Sequence, residues 1–343
     1  MMKTSIVLSV ALLASTSVMS AENVQSPSAN NTQPQAEVSD TQSRISQLSY
    51  IAQDQGQPVV NRARALQELA AYPSQNALVA VARGLKDNHS EIREAAIIGS
   101  EPYQLEHRWK MVAPLLEDDV EMVRHTAASN LVRDFNSVSA EQQQQLEKPV
   151  NALIGFLSAQ ESKEYQLLFA DVLRWHNQWE QADAVYVELL KTRGDEAQVW
   201  LSYADNFRAQ QLDEQAVKVL DRAIEELPNT AALHYSKSLT LVRLDEKRLA
   251  ADEIEVAANL AKDNSYYWYL NGVLQEQFDI DKSTGSFEQA YLISGAPEQL
   301  YAVCDIYVRY GHSNADECLS ELSNVAPKYV IDQLKAKKQG EGV

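Results

Sequence analysis

The sequence AQVWLSYADNFRAQQLDEQAVKVLDRAIEELPNT, residues 197–230, is the clearest copy of a pattern that recurs every 34 residues between about Lys163 and Asn264. Three sets follow this period: Ala182, Ala216 and Ala250; Tyr186, Leu220 and Ile254; Leu189, Ala223 and Ala257. A fourth set lies twelve residues before the first: Ala170, Ala204 and Ser238. Small residues at two fixed points let antiparallel helices approach closely, so the period predicts tandem helical hairpins.

The best copy of this pattern resembles the tetratricopeptide repeat (TPR) family. The resemblance is carried by Trp200, Ala204, Phe207, Ala216, Leu220, Ala223 and Pro228. It implies a stack of helical hairpins that binds partners, because such repeats bind proteins far more often than they catalyse reactions. Further along, Phe287 and Ala290 come one residue early, which predicts a shortened turn at residues 281–285. A fifth hairpin is predicted at residues 298–325.

A second period, of 31 residues, lies nearer the N-terminus. It relates Arg62, Arg93 and Arg124, and likewise Ala65, Ala96 and Ala127. Asp87 and Asp118 stand in the turns before the second and third copies, whereas the first copy has Gly56 there. A turn aspartate followed by an apolar–arginine pair resembles the short form of the HEAT repeat family. We expect each arginine to pair with a turn carboxylate of its own or the neighbouring repeat, forming a ladder.

The sequence predicts an all-α fold: a right-handed α-solenoid of HEAT-like helical pairs that continues into TPR hairpins. The predicted organisation is a signal peptide at residues 1–21, a flexible leader at 22–42, HEAT-like repeats and a junction at 43–162, TPR-like repeats at 163–328, and a C-terminal helix and tail at 329–343. The leader is predicted to be flexible because its Asn, Gln, Ser and Pro residues bury too little apolar surface to offset the entropy of ordering.

The N-terminus has the pattern of a secretory signal. Lys3 supplies the positive charge, residues 6–14 form the apolar segment, and cleavage fits after Ser20 or after Ala21. The apolar segment is too short to span a bilayer. We therefore expect an exported protein, with a bacterial periplasm as its compartment and without direct membrane insertion.

The chain is strongly acidic. Removal of residues 1–21 takes away one lysine and no acidic residue, so 29 basic residues remain against 48 acidic ones, a net charge of −19. Such a charge repels nucleic-acid phosphates and anionic lipid headgroups, which argues against nucleic acid and membrane surfaces as partners. Two explanations of this charge remain: it keeps an extended surface soluble, or it attracts a basic partner.

The two cysteines, Cys304 and Cys318, are an even pair in a chain expected to be exported. In an oxidising compartment such a pair predicts a disulfide. A turn at residues 311–313 would place them on facing sides of a helical hairpin. Two free buried thiols are the alternative.

Catalytic and ligand-binding patterns are lacking in the sequence. None of the six histidines pairs with another histidine or a cysteine at metal-ligand spacing, and HExxH, GxSxG, Walker and GxGxxG patterns are missing. The expectation is a protein that is not an enzyme and that needs no metal and no cofactor.

The candidate partner-binding residues follow from the repeat register, because the first helix of each TPR hairpin lines a groove. They are Asp171, Arg174, Asp205, Arg208, Tyr235, Arg243, Tyr266 and Tyr269. The Asp–Arg pairs recur one period apart, and Arg and Tyr are enriched in binding patches. The alternative is that these are solvated ion pairs within helices, worth about a few tenths of a kcal/mol each.

The order of HEAT-like and TPR repeats is similar to the C-terminal half of certain bacterial multihaem cytochrome c proteins. Residues 232–243 and 250–263 carry most of this likeness, which extends over about residues 57–325. No CxxCH is present, so a haem function is not implied. We expect a periplasmic scaffold for a protein or peptide partner, within a multiprotein complex as one option. The alternative hypothesis for the function is an accessory of periplasmic electron transfer or c-type cytochrome assembly. A third hypothesis is a cell-wall or polysaccharide enzyme.

Overall fold

The computed structural model describes residues 33–338, and every regular element in this range is helical, as predicted. The predicted signal peptide therefore lies outside the described residues. The chain divides into two compact units between Gln178 and Trp179. The boundary predicted at residue 162 lies one helix earlier in the chain.

The described part of the first unit, residues 33–178, contains eight α-helices. They are α1 (Gln33–Gln53), α2 (Val59–Glu68), α3 (Gln75–Gly84), α4 (Ser90–Gly99), α5 (Leu105–Val112), α6 (Glu121–Val132), α7 (Ala140–Ser158) and α8 (Lys163–Trp175). Short 3₁₀ segments lie at Leu69–Ala71, Ala113–Glu117 and Phe135–Ser137. Because α1 begins at Gln33, residues 33–42 are helical, although they were expected to belong to the flexible leader. Their Gln, Ala and Glu residues are good helix formers.

The described part of the second unit, residues 179–338, contains ten α-helices. They are α9 (Trp179–Arg193), α10 (Ala197–Ala209), α11 (Asp213–Glu226), α12 (Ala231–Arg243), α13 (Lys247–Leu260), α14 (Ser265–Gln275), α15 (Ile280–Ser294), α16 (Pro297–Tyr310), α17 (Ala315–Leu322) and α18 (Lys328–Lys338). Four TPR-like hairpins run from α10 to α17. In each we call the first helix helix A and the second helix B. The turn predicted at residues 281–285 is wrong: α15 already covers these residues, and the short turn lies at residues 276–279.

Small residues set the distance between the two helices of a hairpin, as the sequence predicts. Ala204 and Ala216 are fully buried in the first complete hairpin of the second unit. In the next, the Ser238 hydroxyl donates a hydrogen bond of 2.7 Å to a backbone carbonyl of helix B. At Gly272, an added Cβ would lie 2.7 Å from the Phe287 ring. A larger side chain at these points would force the helices apart, because protein interiors are close-packed.

Three of the turns between helices contain a residue with left-handed backbone geometry at the same repeat position. The φ angles are 61° at Gln211 and 60° at Asp245, and Asn177 of the first unit has 62°. Beyond Gln211, the Leu212 N–H donates to the Phe207 carbonyl at 3.0 Å, which satisfies one of the carbonyls left unpaired at a helix end. This geometry fixes the direction in which helix B leaves the turn.

The predicted disulfide joins α16 to α17. Cys304 and Cys318 are bonded, with their Cα atoms 5.4 Å apart. Both cysteines are buried, and Gly311 makes the turn between the two helices with a φ of 69°. The bond closes the last hairpin, where a terminal repeat has a neighbour on one side only.

The predicted arginine ladder is present in the first unit. Arg62 Nη2 lies 2.5 Å from Asp87 Oδ2, and Arg93 donates to both carboxylate oxygens of Asp118 at 2.7 Å each. Arg124 continues the series with a bond of 2.7 Å to the Asp118 backbone carbonyl. Each arginine therefore ties its own helix to an adjacent turn.

Within the described residues, helices long and apolar enough to cross a membrane are absent.

The Asp87 carboxylate shows how strongly the ladder depends on ionisation. Burial raises its pKa, but hydrogen bonds from the His89 backbone N–H and from the Arg62 guanidinium outweigh this effect and lower the pKa to about 2. A lowered pKa in the folded state gives stability that is present above the ordinary value of 3.8 and is lost as the pH falls towards 2.

We predict that Arg62→Ala lowers the unfolding free energy of the first unit by about 3 kcal/mol, because it leaves a buried carboxylate without its partner. Arg64→Ala, an exposed change on the same helix, should cost less than about 0.5 kcal/mol. Urea unfolding with pulsed hydrogen exchange reports the first unit separately. The loss of stability between pH 4 and pH 2 should also shrink in Arg62→Ala. Equal effects of the two substitutions would contradict this role for Arg62.

Candidate functional site

Helix A of successive hairpins carries outward-facing side chains that share one face. On α12, Tyr235 and Val242 are seven residues apart, as are Tyr266 and Val273 on α14. A spacing of seven returns to the same side of a helix. With neighbouring residues of α10, α14 and α16, they make up what we call the helix-A surface. It consists of Asp205, Arg208, Tyr235, Val242, Tyr266, Tyr269, Val273 and Tyr310.

Three tyrosines cluster where α12 meets α14. The Tyr235 ring stacks on the Tyr267 ring, with centroids 4.9 Å apart, and meets the Tyr266 ring edge-on at 6.2 Å. Tyr267 is buried and anchors the cluster, whereas Tyr266 is 51% exposed. Burial, and then the hydrogen bond with Tyr266, raise the pKa of Tyr235 to about 12. Its phenol therefore keeps its proton and remains a hydrogen-bond donor over the whole physiological pH range.

Arg208 and Asp205 form a predicted pair on α10. Arg208 Nε lies 2.9 Å from Asp205 Oδ1, and the same guanidinium reaches α12, where it donates to Thr240 Oγ1 at 3.1 Å and to the Ser236 carbonyl at 3.3 Å. The arginine side chain is 19% exposed and the aspartate side chain 41%. Arg208 therefore holds two A helices together, while the Asp205 carboxylate remains accessible to a partner.

A shallow depression of about 400 Å³ is lined by residues of α12, α13, α14 and α16 and of the segment that follows α14. Its exposed apolar lining includes Val242, Val273 and Tyr310, at 40%, 45% and 49% exposure. The Glu276 carboxylate borders it, accepting a hydrogen bond of 3.0 Å from the Tyr310 hydroxyl and bonds from the Arg309 guanidinium. The Arg309 hydrogen bond in particular lowers the pKa of Glu276, so the border stays charged.

Two further predicted residues, Arg243 and Tyr269, lie at the edges of the helix-A surface. Arg243 is exposed, and its Nε lies 2.8 Å from Asp213 Oδ1 on α11. Tyr269 is half-buried, with its ring 5.7 Å from the Phe287 ring. Arg243 thus supplies a charged rim, and Tyr269 contributes mainly to packing.

The remaining predicted pair, Asp171 and Arg174, belongs to the first unit. Asp171 is buried, and its Oδ1 lies 3.1 Å from Arg174 Nη2. The Arg174 guanidinium also lies over the Trp175 ring, 5.4 Å from its centroid. The structure therefore divides the eight predicted residues between the two units, and their role in binding stays a prediction.

Sequence reasoning missed the apolar part of the helix-A surface. Val242, Val273 and Tyr310 were not among the predicted residues. A signal was present for the two valines, because each follows a predicted tyrosine by seven residues and so lies on the same helix face. The spacing does not show that these valines are exposed rather than part of the core, because their exposure depends on how neighbouring hairpins pack.

A charged network holds α12 between its neighbours. His234 Nδ1 lies 2.7 Å from Glu253 Oε2, and Nε2 lies 3.2 Å from the Pro228 carbonyl. Lys237 Nζ contacts Glu253 Oε1 at 2.6 Å and Asp221 Oδ1 at 2.7 Å. Both groups facing the imidazole are acceptors, so only the protonated ring donates to both. The Glu253 hydrogen bond raises the pKa of His234 against the opposing effect of burial.

Convergent metal-ligating side chains are not found among the described residues: no group of three His, Cys, Asp or Glu is placed to hold an ion.

No family model and no curated protein matches this chain. Similar solved structures include the crystal structure of MamA, which is 18% identical with a TM-score of 0.38 and covers 50% of this chain and 96% of its own. YrrB, described as a TPR protein with an unusual peptide-binding site, is 19% identical with a TM-score of 0.41, covering 54% and 96%. MamA from Desulfovibrio magneticus RS-1 is 15% identical with a TM-score of 0.39, covering 48% and 96%. Likeness at this distance says nothing about function.

We predict that the packing of α12 weakens as the pH rises. Because the folded-state pKa of His234 is raised, its stabilisation is fully present below pH 6.5 and is lost as the pH rises through the higher folded value. Hydrogen-exchange protection of α12, corrected for intrinsic exchange, should therefore be lower at pH 8 than at pH 6.

His234→Gln should abolish this pH dependence, whereas His107→Gln, an exposed change in the first unit, should preserve it. The same pH-dependent loss of protection in His234→Gln would show that another group is responsible.

Proposed function

We propose that the protein is a non-catalytic scaffold that holds a segment of a partner protein on the helix-A surface of its second unit. The observation that carries this proposal is the set of exposed tyrosine and valine side chains on three successive A helices, of which Val242, Val273 and Tyr310 line one depression. Tyr266, Val273 and Tyr310 are each about half exposed. Exposed apolar side chains that adjoin one another, rimmed by charge, are typical of protein-interaction sites.

The chemistry of the surface suits a peptide segment with apolar side chains. Tyrosine combines a large contact area with a hydroxyl that donates and accepts hydrogen bonds, and few rotatable bonds have to be immobilised on binding. The depression between Val242 and Val273 offers a recess for one apolar side chain. Burial of these residues by a partner would gain about 25 cal/mol for each Å² of apolar surface removed from water.

Charged groups at the rim would set the orientation of the partner. The Asp205–Arg208 pair lies near Tyr235, whereas Arg243, paired with Asp213, follows Val242 at the end of α12, and Glu276 lines the depression. Exposed rim charges contribute little to affinity, but they steer association and select among partners. We therefore assign recognition to the tyrosines and valines, and specificity to the charged rim.

We further propose that the scaffold works in an oxidising compartment, the bacterial periplasm. Two features support this: the secretory pattern of residues 1–21 and the disulfide between Cys304 and Cys318. Structural disulfides persist in exported proteins and are rare in a reducing cytosol.

Site-specific photocrosslinking in the native cell tests the proposal. A photoreactive amino acid replaces Val242, Tyr266 or Val273 in turn, and the matched control replaces Leu292, which is 77% exposed on helix B of the third hairpin. We expect one dominant exported partner to crosslink from the three helix-A positions and not from the control. Short-range crosslinkers report direct contact, so the pattern maps the face that is used.

Two outcomes would contradict the proposal. Equal crosslinking from Leu292 would mean that the captured protein does not recognise the helix-A surface. Absence of any crosslink from the three helix-A positions, in cells where the protein is folded and exported, would mean that this surface is not occupied by a protein.

A further inference from the structure

The first unit contains a concave cavity of about 640 Å³ that is separate from the helix-A surface. Side chains of α2, α4, α6, α7 and α8 line it. Its volume lies within the range of small-molecule sites, about 300–1,000 Å³. The floor is apolar and includes Ile98, Leu153 and Phe156.

The charge of the lining is predominantly negative. Glu91, Glu94 and Glu101 face the cavity, and the only lysine or arginine among the lining residues is Arg133. Arg133 lies 3.5 Å from Glu101 and also over the Trp175 ring, so it balances one carboxylate. Arg133 does not balance the carboxylates of Glu91 and Glu94, so the cavity favours cations.

Glu94 is the carboxylate best placed to receive a cation. It is half-buried, and among the described residues no hydrogen bond or ion pair engages its oxygens. The neighbouring Arg93 partly offsets the charge of Glu94 and lowers its pKa, but the Arg93 guanidinium bonds Asp118 through two contacts of 2.7 Å rather than Glu94. Burial first, and then repulsion from Glu91, raise the pKa of Glu94. A ligand cation would relieve both effects.

Two buried side chains in the lining offer acceptor atoms with no partner within the described residues. Asn130 is 3% exposed, and because its Nδ2 donates to the Ile97 carbonyl at 3.1 Å, the unpaired atom is the acceptor Oδ1. His125 is 4% exposed, and its Nδ1 is likewise unpaired. Burial lowers the pKa of His125, which favours the neutral imidazole. Its Nε2 lies 3.9 Å from Glu121 Oε1, which favours the proton on Nε2 and leaves Nδ1 as the acceptor nitrogen. Unpaired buried polar atoms are rare, and here both belong to residues that line the cavity.

We propose that this cavity binds a small organic cation, a primary ammonium or an amidinium carried on an apolar body. Its N–H groups match the Glu94 carboxylate, and its apolar body matches the Phe156 and Ile98 floor. A cation is also attracted to the face of an aromatic ring such as Phe156. The proposal concerns a different unit from the helix-A surface, so each stands or falls independently.

Isothermal titration calorimetry of the purified full chain tests the proposal with matched probes. Benzamidine and phenethylamine are the cations, benzamide and 2-phenylethanol are neutral molecules of similar shape, and benzoate is the anion. We expect both cations to bind, the neutral analogues to bind at least about tenfold more weakly, and benzoate not to bind, because one charge pair in a partly desolvated site is worth about a factor of ten or more.

Two variants locate the site. Glu94→Gln keeps the side-chain shape and should weaken benzamidine binding by about tenfold, whereas Glu141→Gln, an exposed change on α7, should have no effect. Ser129→Asp adds a carboxylate to the half-exposed lining and should strengthen benzamidine binding by about threefold. Circular dichroism confirms that each variant is folded.

Three results would overturn the proposal. The first is equal affinity for benzamidine and benzamide, which would make the site merely apolar. The second is unchanged benzamidine affinity in a folded Glu94→Gln variant. The third is absence of binding by both cations at millimolar concentration.

Discussion

The close approach of the two helices in each hairpin is the constraint on which the second unit depends. Alanine, serine or glycine occupies the crossing points, and at Gly272 even one added methyl group would meet the Phe287 ring. Because this spacing is repeated, every hairpin presents the same face of helix A outward. The helix-A surface is the consequence: Tyr235 and Tyr266 meet only because α12 and α14 are held in register, and the His234 network reinforces this placement.

In the first unit, Arg–Asp ion pairs hold successive helices in register. Arg62 and Arg93 pair with aspartates that lie 25 residues further along the chain, so each ion pair joins consecutive turns. A buried ion pair contributes little net stability, but loss of one partner is costly, which makes the ladder a device for fixing register. One face of the unit remains concave and carries carboxylates that the ladder does not engage, Glu94 foremost among them.

Much of this architecture could be predicted because it is encoded at fixed spacing. The 34-residue period predicted the hairpins, the 31-residue period predicted the Arg–Asp ladder, and the cysteine pair predicted the disulfide. The short turn at residues 276–279 was predicted at the wrong position. The early arrival of Phe287 and Ala290 shows that a turn is one residue shorter, but it does not show where in the segment the residue is missing. The exposed valines, the tyrosine stacking and the unpaired acceptors of Asn130 and His125 depend on packing between segments distant in sequence, which spacing alone does not reveal.

The central claim is that a partner protein covers the helix-A surface, and side-chain oxidation footprinting of the isolated complex measures this most directly. Hydroxyl radicals oxidise tyrosine in proportion to its exposure, and mass spectrometry reads each site. The account predicts that oxidation of Tyr266 and Tyr310 falls several-fold on complex formation, while that of Tyr50 and Tyr329, at 69% and 64% exposure, stays constant. Unchanged oxidation of Tyr266 and Tyr310 in a saturated complex would contradict it.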